Sequence, residues 1–227
     1  MVSDEKISEL KKQVVFGAKQ IFRKRLVERG EGNVSVRIPG RDQLLITPTL
    51  NDYEHMTRED VVCVDFDGNK LDGRKEPSSE YRLHIELYKM RPRAGAIIHT
   101  HSRYVSMMSV VGKYVPVLFE EMVIFLGGQV PVAPFGRANT NEIAATALKS
   151  IGKSNAVIMG NHGLLACGRT MEFAIKSAEL SEKMASIYYG ALQLGDVNII
   201  EGPAQDQFRN KFEKKFATYN LDIHRED

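Results

Sequence analysis

Short strand-like segments joined by tight turns, interleaved with longer helical patterns, are what most constrain the fold of this chain. Val34 to Ile38 alternates apolar and polar residues as a half-buried strand does, and Leu44 to Thr47 and Val61 to Phe66 repeat the signal. The last of these closes on the turn Asp67-Gly68-Asn69. Strands linked this closely pair antiparallel, and helices must cover the faces they leave. The expected fold is therefore α/β: a single-domain α/β/α sandwich with a largely antiparallel central sheet, spanning residues 1–227.

The helices are read from apolar spacing. Asp4 to about Glu28 carries Ile7, Leu10, Val14, Val15, Ala18, Ile21 and Phe22 at three- and four-residue intervals among charges, and Gly30-Glu31-Gly32-Asn33 breaks the run. Glu76-Pro77-Ser78-Ser79-Glu80 reads as a helix start with a serine cap, and Leu83, Ile85, Leu87 and Tyr88 supply a buried face before Pro92. A strand follows at Ala94 to Thr100. Further helical patterns occupy Asn141 to Ser150, Met171 to Leu194 and Ala204 to Phe216, with short strands at Ala156 to Met159 and Leu164 to Cys167 around Asn161-His162-Gly163. No internal repeat, low-complexity tract or linker interrupts the 227 residues, a length that buries a core without metal or disulfide staples.

Composition narrows the partners. A net charge of +2 from 31 basic and 29 acidic residues gives no broad reason to bind nucleic acid, while a local pocket can still prefer a small anion. No stretch approaches the roughly 20 apolar residues of a membrane span, and Met1-Val2-Ser3-Asp4-Glu5-Lys6 resembles neither a secretory signal nor a transit peptide. A cytoplasmic location is expected. Cys63 and Cys167 form no C-x-x-C pair and read as buried free thiols.

The chemistry-bearing residues each admit a plain structural reading as well. Gly95-Ala96-Ile97-Ile98-His99-Thr100-His101 is an apolar run ending in two imidazoles, and i and i+2 on a strand share a face, so both rings can reach one metal or simply form a polar rim. His162, in a tight turn between apolar segments, is either a third ligand or a turn residue bonded to backbone; three neutral imidazoles would leave a fourth zinc position open. His55, His84 and His224 lack such context and read as surface or packing residues. Glu80 either favours its helix dipole or exchanges protons with a substrate whose phosphate sits on the helix N-terminus and the hydroxyls of Ser78 and Ser79. Asn33 and Thr49 are turn residues or further anion contacts. Glu120 and Glu121 interrupt an apolar stretch from Val115 to Leu126 and are solvated carboxylates or a partly buried acid or base.

Gly32-Asn33-Val34-Ser35-Val36-Arg37, Ile46-Thr47-Pro48-Thr49, Pro77-Ser78-Ser79-Glu80, His99-Thr100-His101 and Asn161-His162-Gly163-Leu164 occur in one order along the chain. In that order they resemble the family of metal-dependent class II sugar-phosphate aldolases and epimerases. The resemblance implies metal ligands at His99, His101 and His162, with zinc the expected ion and manganese or cobalt alternatives. It implies Glu80 as the proton-transferring group beside the metal and a phosphate pocket from Asn33, Thr49, Ser78 and Ser79. It also implies a homotetramer with active sites between subunits, to which a tail tyrosine, matched here by Tyr219, contributes. Glu121 stands near the position of a proton-handling tyrosine in the aldolase pattern, Gly30 where that pattern has a phosphate-contacting threonine, and Leu50 where it has a glycine. The implied activity is reversible cleavage of a ketose 1-phosphate, L-fuculose 1-phosphate or a related deoxy-ketose phosphate, to dihydroxyacetone phosphate and a short aldehyde. Epimerisation at C4 of L-ribulose 5-phosphate, dehydration of methylthioribulose 1-phosphate and a non-catalytic adducin-like scaffold are the alternatives the same resemblance leaves.

Overall fold

The computed structural model describes residues 2–50 and 52–220. Helix α1 (Asp4–Arg23) leads into strands β1 (Asn33–Arg37), β2 (Gln43–Ile46), β3 (Val62–Asp65) and β4 (Lys70–Asp72). Helix α2 (Tyr81–Met90) precedes β5 (Ala96–Thr100), α3 (Arg103–Val111), α4 (Glu120–Leu126), β6 (Val132–Ala133) and α5 (Asn141–Ile151). The hairpin of β7 (Ala156–Met159) and β8 (Gly163–Gly168) is followed by α6 (Met171–Leu194) and α7 (Gly202–Lys215).

The strands form one eight-stranded sheet in the order β4-β3-β2-β1-β5-β8-β7-β6. Every pairing is antiparallel except β6 with β7; short turns require this for β1–β2, β3–β4 and β7–β8. Val34, Val36, Ala96 and Ile98 face a core completed by α1, α3, α4 and α6. Ile97, Leu165 and Val157 face a second core under α2 and α5. Helices thus cover both faces, and each fully buried Val, Leu or Ile side chain contributes about 1.5–3 kcal/mol relative to exposure. Among the described residues no helix is long and apolar enough to cross a membrane, and Cys63 and Cys167 are buried free thiols.

Several boundaries differ from the sequence reading for local reasons. Helix α1, capped by the Ser3 hydroxyl accepting from Lys6 N–H, stops at Arg23 rather than near Glu28. Arg25 adopts a left-handed φ of 55°, and Leu26 N–H bonds back to the Ile21 carbonyl at 2.9 Å. This closure usually recruits glycine; here an arginine makes it, and Leu26 and Val27 are then buried as loop residues. Helix α2 begins at Tyr81 with Glu80 at its cap position and no side-chain cap, so the expected serine cap is not made. Ser78 Oγ instead accepts from Glu80 N–H, and the Ser78 carbonyl accepts from Tyr81 N–H. Helix α3, which the sequence reading does not include, has its first free N–H groups satisfied from outside: the Glu182 carboxylate of α6 accepts from Tyr104 and Val105 N–H, both at 2.9 Å.

Candidate metal centre and active site

The site lies where β1 begins, β5 ends and the β7–β8 hairpin turns. The β1–β5 register sets Asn33 directly opposite His99, and Gly32 makes the approach possible. With a φ of 62° it passes so close to β5 that a Cβ would lie 2.5 Å from the His99 carbonyl oxygen. His101 follows one residue beyond the end of β5. His162 is delivered by the hairpin turn, where Asn161 takes a φ of 53° and His162 N–H bonds to the Met159 carbonyl at 3.1 Å. A side chain at Gly163 would meet the Thr100 carbonyl at 2.3 Å, so the turn is pinned against β5.

The three rings converge through their Nε2 atoms. His99 Nε2 lies 2.9 Å from His101 Nε2 and 3.1 Å from His162 Nε2. His99 Nδ1 donates to the Leu164 carbonyl at 2.8 Å, which leaves the Nε2 of its neutral ring as a bare lone pair aimed into the cluster. Glu80 closes the arrangement, with Oε1 2.9 Å from His162 Nε2 and Oε2 3.3 Å from His99 Nε2. Burial pushes the His99 imidazole down to about 4, and Glu80 only partly offsets that. Burial, followed by His162, also lowers His101. Burial opposes ionisation of Glu80, yet His99, His162 and Asn33 together hold its carboxyl below the usual carboxylate range. Three imidazole Nε2 atoms and a carboxylate converge on one point, the donor set that a divalent ion such as zinc accepts. The residues fit a metal.

The expected phosphate contacts come from three chain segments brought to the same end of the sheet. Asn33 Nδ2 donates to Glu80 Oε2 at 2.8 Å. Pro48 and Pro77 form an isolated antiparallel bridge, Thr49 N–H bonds to the Glu76 carbonyl, and Ser78 N–H bonds to that of Thr47. Thr49 and Ser79 are exposed, whereas Asn33 and Ser78 are buried. A groove of about 1320 Å³ opens beside His101, lined among others by Arg29, Glu31, Arg103, Tyr104 and Glu182.

Two expected residues lie in other surroundings. Glu121, in the first turn of α4, is paired with Lys183 at 2.7 Å and Lys176 at 3.9 Å, both on α6. Tyr219 is only 4% exposed, packed on Phe212 with the Arg91 guanidinium 5.3 Å from its ring centre. Within one chain the ring is thus enclosed by Phe212 and Arg91 rather than standing out from the surface. His55 sits on an exposed turn with Asp52, 3.0 Å away, and His224 lies outside the described residues.

Sequence reasoning missed His84 and Glu31. His84 is fully buried and bonded to Asn33 and Ser35; its spacing of four from Glu80, which stacks the two on one helix face, is the signal that was available. Glu31, in the glycine-bounded loop, places a carboxylate 3.9 Å from His101 Nδ1.

Comparison with known proteins agrees with this geometry. Residues 12–189 match the model of the Class II Aldolase and Adducin N-terminal domain. L-fuculose phosphate aldolase of Escherichia coli (strain K12) is 31% identical over 217 residues, covering 95% of this chain and 98% of that protein. The 5-methylthioribulose-1-phosphate/5-deoxyribulose-1-phosphate aldolase of Rhodospirillum rubrum is 31% identical over 204 residues, covering 89% and 90%. Among solved structures, an L-fuculose 1-phosphate aldolase superposes with a TM-score of 0.87 at 28% identity, covering 94% of this chain and 98% of that one. With the family model spanning residues 12–189 and a relative 31% identical over 95% of the sequence, the chain belongs to the class II aldolase and adducin N-terminal domain family.

Proposed function

We propose that this protein is a zinc-dependent aldolase that reversibly cleaves a ketose 1-phosphate to dihydroxyacetone phosphate and a short aldehyde. The observation that carries the reading is the convergence of His99, His101 and His162 Nε2 beside the Glu80 carboxylate. A scaffold has no use for so many electron-pair donors directed at one point, with His99 fully buried and the others partly so.

In this reading His99, His101 and His162 hold the ion, which when bound supplies Lewis acidity toward the ketose carbonyl and its neighbouring hydroxyl. Glu80, kept ionised, moves a proton to and from the carbon of the dihydroxyacetone phosphate fragment. Asn33, Thr49, Ser78 and Ser79 receive the phosphate, Asn33 from beside Glu80 and Thr49 and Ser78 from the two loops bridged at Pro48 and Pro77. The proton on the aldehyde-side oxygen is handled across a subunit boundary, with Glu121 as its candidate group.

Association into a homotetramer is supported by apolar side chains left uncovered near the site. Val110, Val111 and Tyr114 at the end of α3 are 66%, 63% and 46% exposed, and α3 touches the histidine turn through Asn161 N–H and the Ser109 carbonyl. Such a patch marks an interaction surface. The names of the relatives put L-fuculose 1-phosphate and 5-deoxyribulose 1-phosphate first among substrates to try. The test is a screen of ketose 1- and 5-phosphates with zinc-, manganese- and cobalt-loaded protein, with products identified. Dihydroxyacetone phosphate plus an aldehyde is expected; a C4-inverted ketose or a dehydrated product alone, or no metal uptake, rules the aldolase out.

A further inference from the structure

A buried row of side chains stands behind Glu80. Asn33 Nδ2 contacts Glu80 Oε2, and Asn33 Oδ1 contacts His84 Nε2. His84 Nδ1 lies 2.7 Å from Ser35 Oγ, which lies 2.9 Å from the Tyr88 hydroxyl. Asn33, Ser35 and His84 are 2% exposed or less, and Tyr88 is fully enclosed.

The direction of every bond is forced from the Glu80 end. The amide nitrogen of Asn33 faces Glu80 and its carbonyl oxygen faces His84, so Asn33 donates to the carboxylate and accepts from the ring. A carbonyl only accepts, so the proton of the His84 ring is on Nε2. The neutral ring then has a bare Nδ1, which the Ser35 hydroxyl must fill. Serine has one proton and has spent it, so Tyr88 donates to Ser35. All the protons point toward the site. Full burial keeps the ring neutral, with its basicity pushed down to about 3.

A packing role alone would be served by an apolar side chain, without the risk of a half-satisfied polar row in the core. The site has a use for the row. An asparagine amide has two N–H groups, and if it flipped, its carbonyl would face the Glu80 carboxylate and any anion beside it.

We propose that His84 is a positioning residue: as the Nε2–H tautomer it locks the amide of Asn33 so that one N–H holds Glu80 and the other is presented to the phosphate of the substrate. The phosphate half rests on the sugar-phosphate reading above; the tautomer and the hold on Glu80 do not.

Two measurements test it. In nitrogen NMR of histidine-labelled protein, His84 is expected to carry its proton on Nε2 with a hydrogen-bonded, unprotonated Nδ1; a proton on Nδ1 overturns the proposal whether or not any ketose phosphate is turned over. The second compares His84→Leu with His84→Gln, whose terminal amide can replace the Nε2 donor, in the zinc-loaded protein with inorganic phosphate as the probe. His84→Leu is expected to keep its metal while phosphate affinity falls by about tenfold or more, the scale of a lost hydrogen bond to a charged group, and His84→Gln to recover most of it. Phosphate affinity in His84→Leu within about twofold of the native protein also overturns the proposal. If the leucine variant does not fold, the NMR result decides.

Discussion

Around His99 the polar side chains are held by strand register and a pinned turn, whereas around Glu121 the partners are two long lysines that solvent reaches. His99 has no exposed surface and Glu80 keeps 11% of its side chain exposed; Lys183 and Lys176 keep 58% and 40%. The first arrangement is complete within one chain and cannot shift without disturbing the sheet. The second costs little to rearrange, because exposed ion pairs contribute at most about 1 kcal/mol. The cluster of His99, His101, His162 and Glu80 is thus set by the fold of one chain, whereas the pairing of Glu121 is easily exchanged.

The sharpest way to break this contrast is at the intrinsic end. His101→Ala is expected to weaken zinc binding by more than about 100-fold, beyond the range seen for groups that merely support a ligand, and to remove activity with the metal; metal analysis of dialysed protein checks it. Glu80→Gln is expected to keep the metal and lose about 10²–10⁴-fold in turnover, the usual contribution of a positioned acid or base. Loss of metal in that variant would merge two roles that the proposal separates.

Effects at the other end should be smaller. Glu121→Gln is expected to lower turnover by about tenfold, the low end for proton transfer, with zinc content unchanged. Chains carrying Glu80→Gln, co-assembled with chains carrying Glu121→Gln, should give turnover above that of either variant alone. No recovery would place the aldehyde-side group elsewhere.

Acidification probes the row behind Glu80. His84 is lowered from 6.5 to about 3 in the folded chain, so below pH 6.5 the unfolded chain binds a proton that the folded chain refuses. Stability therefore falls as pH drops through the window from 6.5 to 3, by up to about 1.4 kcal/mol per pH unit from this residue, and is unaffected by it above that window. Denaturation of native protein and His84→Gln across this range should give a shallower slope for the variant. The smallest effect is expected at Tyr219→Phe, which should leave metal content and turnover unchanged and cost at most about 1 kcal/mol, the scale of one hydrogen bond.

What was legible in the sequence followed from local chemistry. The bounds of α6 can be read at Thr170, whose hydroxyl accepts from Phe173 N–H, and at Gly195; β7 declares itself by composition. That His99 and His101 share a face was legible from strand alternation, while His162 was joined to them only through the family resemblance. Features that depend on distant partners were hidden. The end of α1 relies on an arginine in a glycine conformation, the start of α3 on Glu182 from a helix far along the chain, and the use of His84 on Asn33 and Ser35 across the α2–sheet interface. The surroundings of Tyr219 were hidden for the same reason: its place near the end of the sequence says nothing of Phe212 and Arg91, on which it packs.

The register that sets Asn33 opposite His99 also bears on how such a site can change over generations. A slip of one residue between β1 and β5 would send Asn33 and Ser35 into the apolar layer beneath α1 and α6, and Val34 into their place. Selection for a stable core therefore preserves the alignment of the metal end without reference to catalysis. The exposed loop before it, with Glu28, Arg29 and Gly30, is under no such bond, so it can drift while the alignment beside it is carried forward intact.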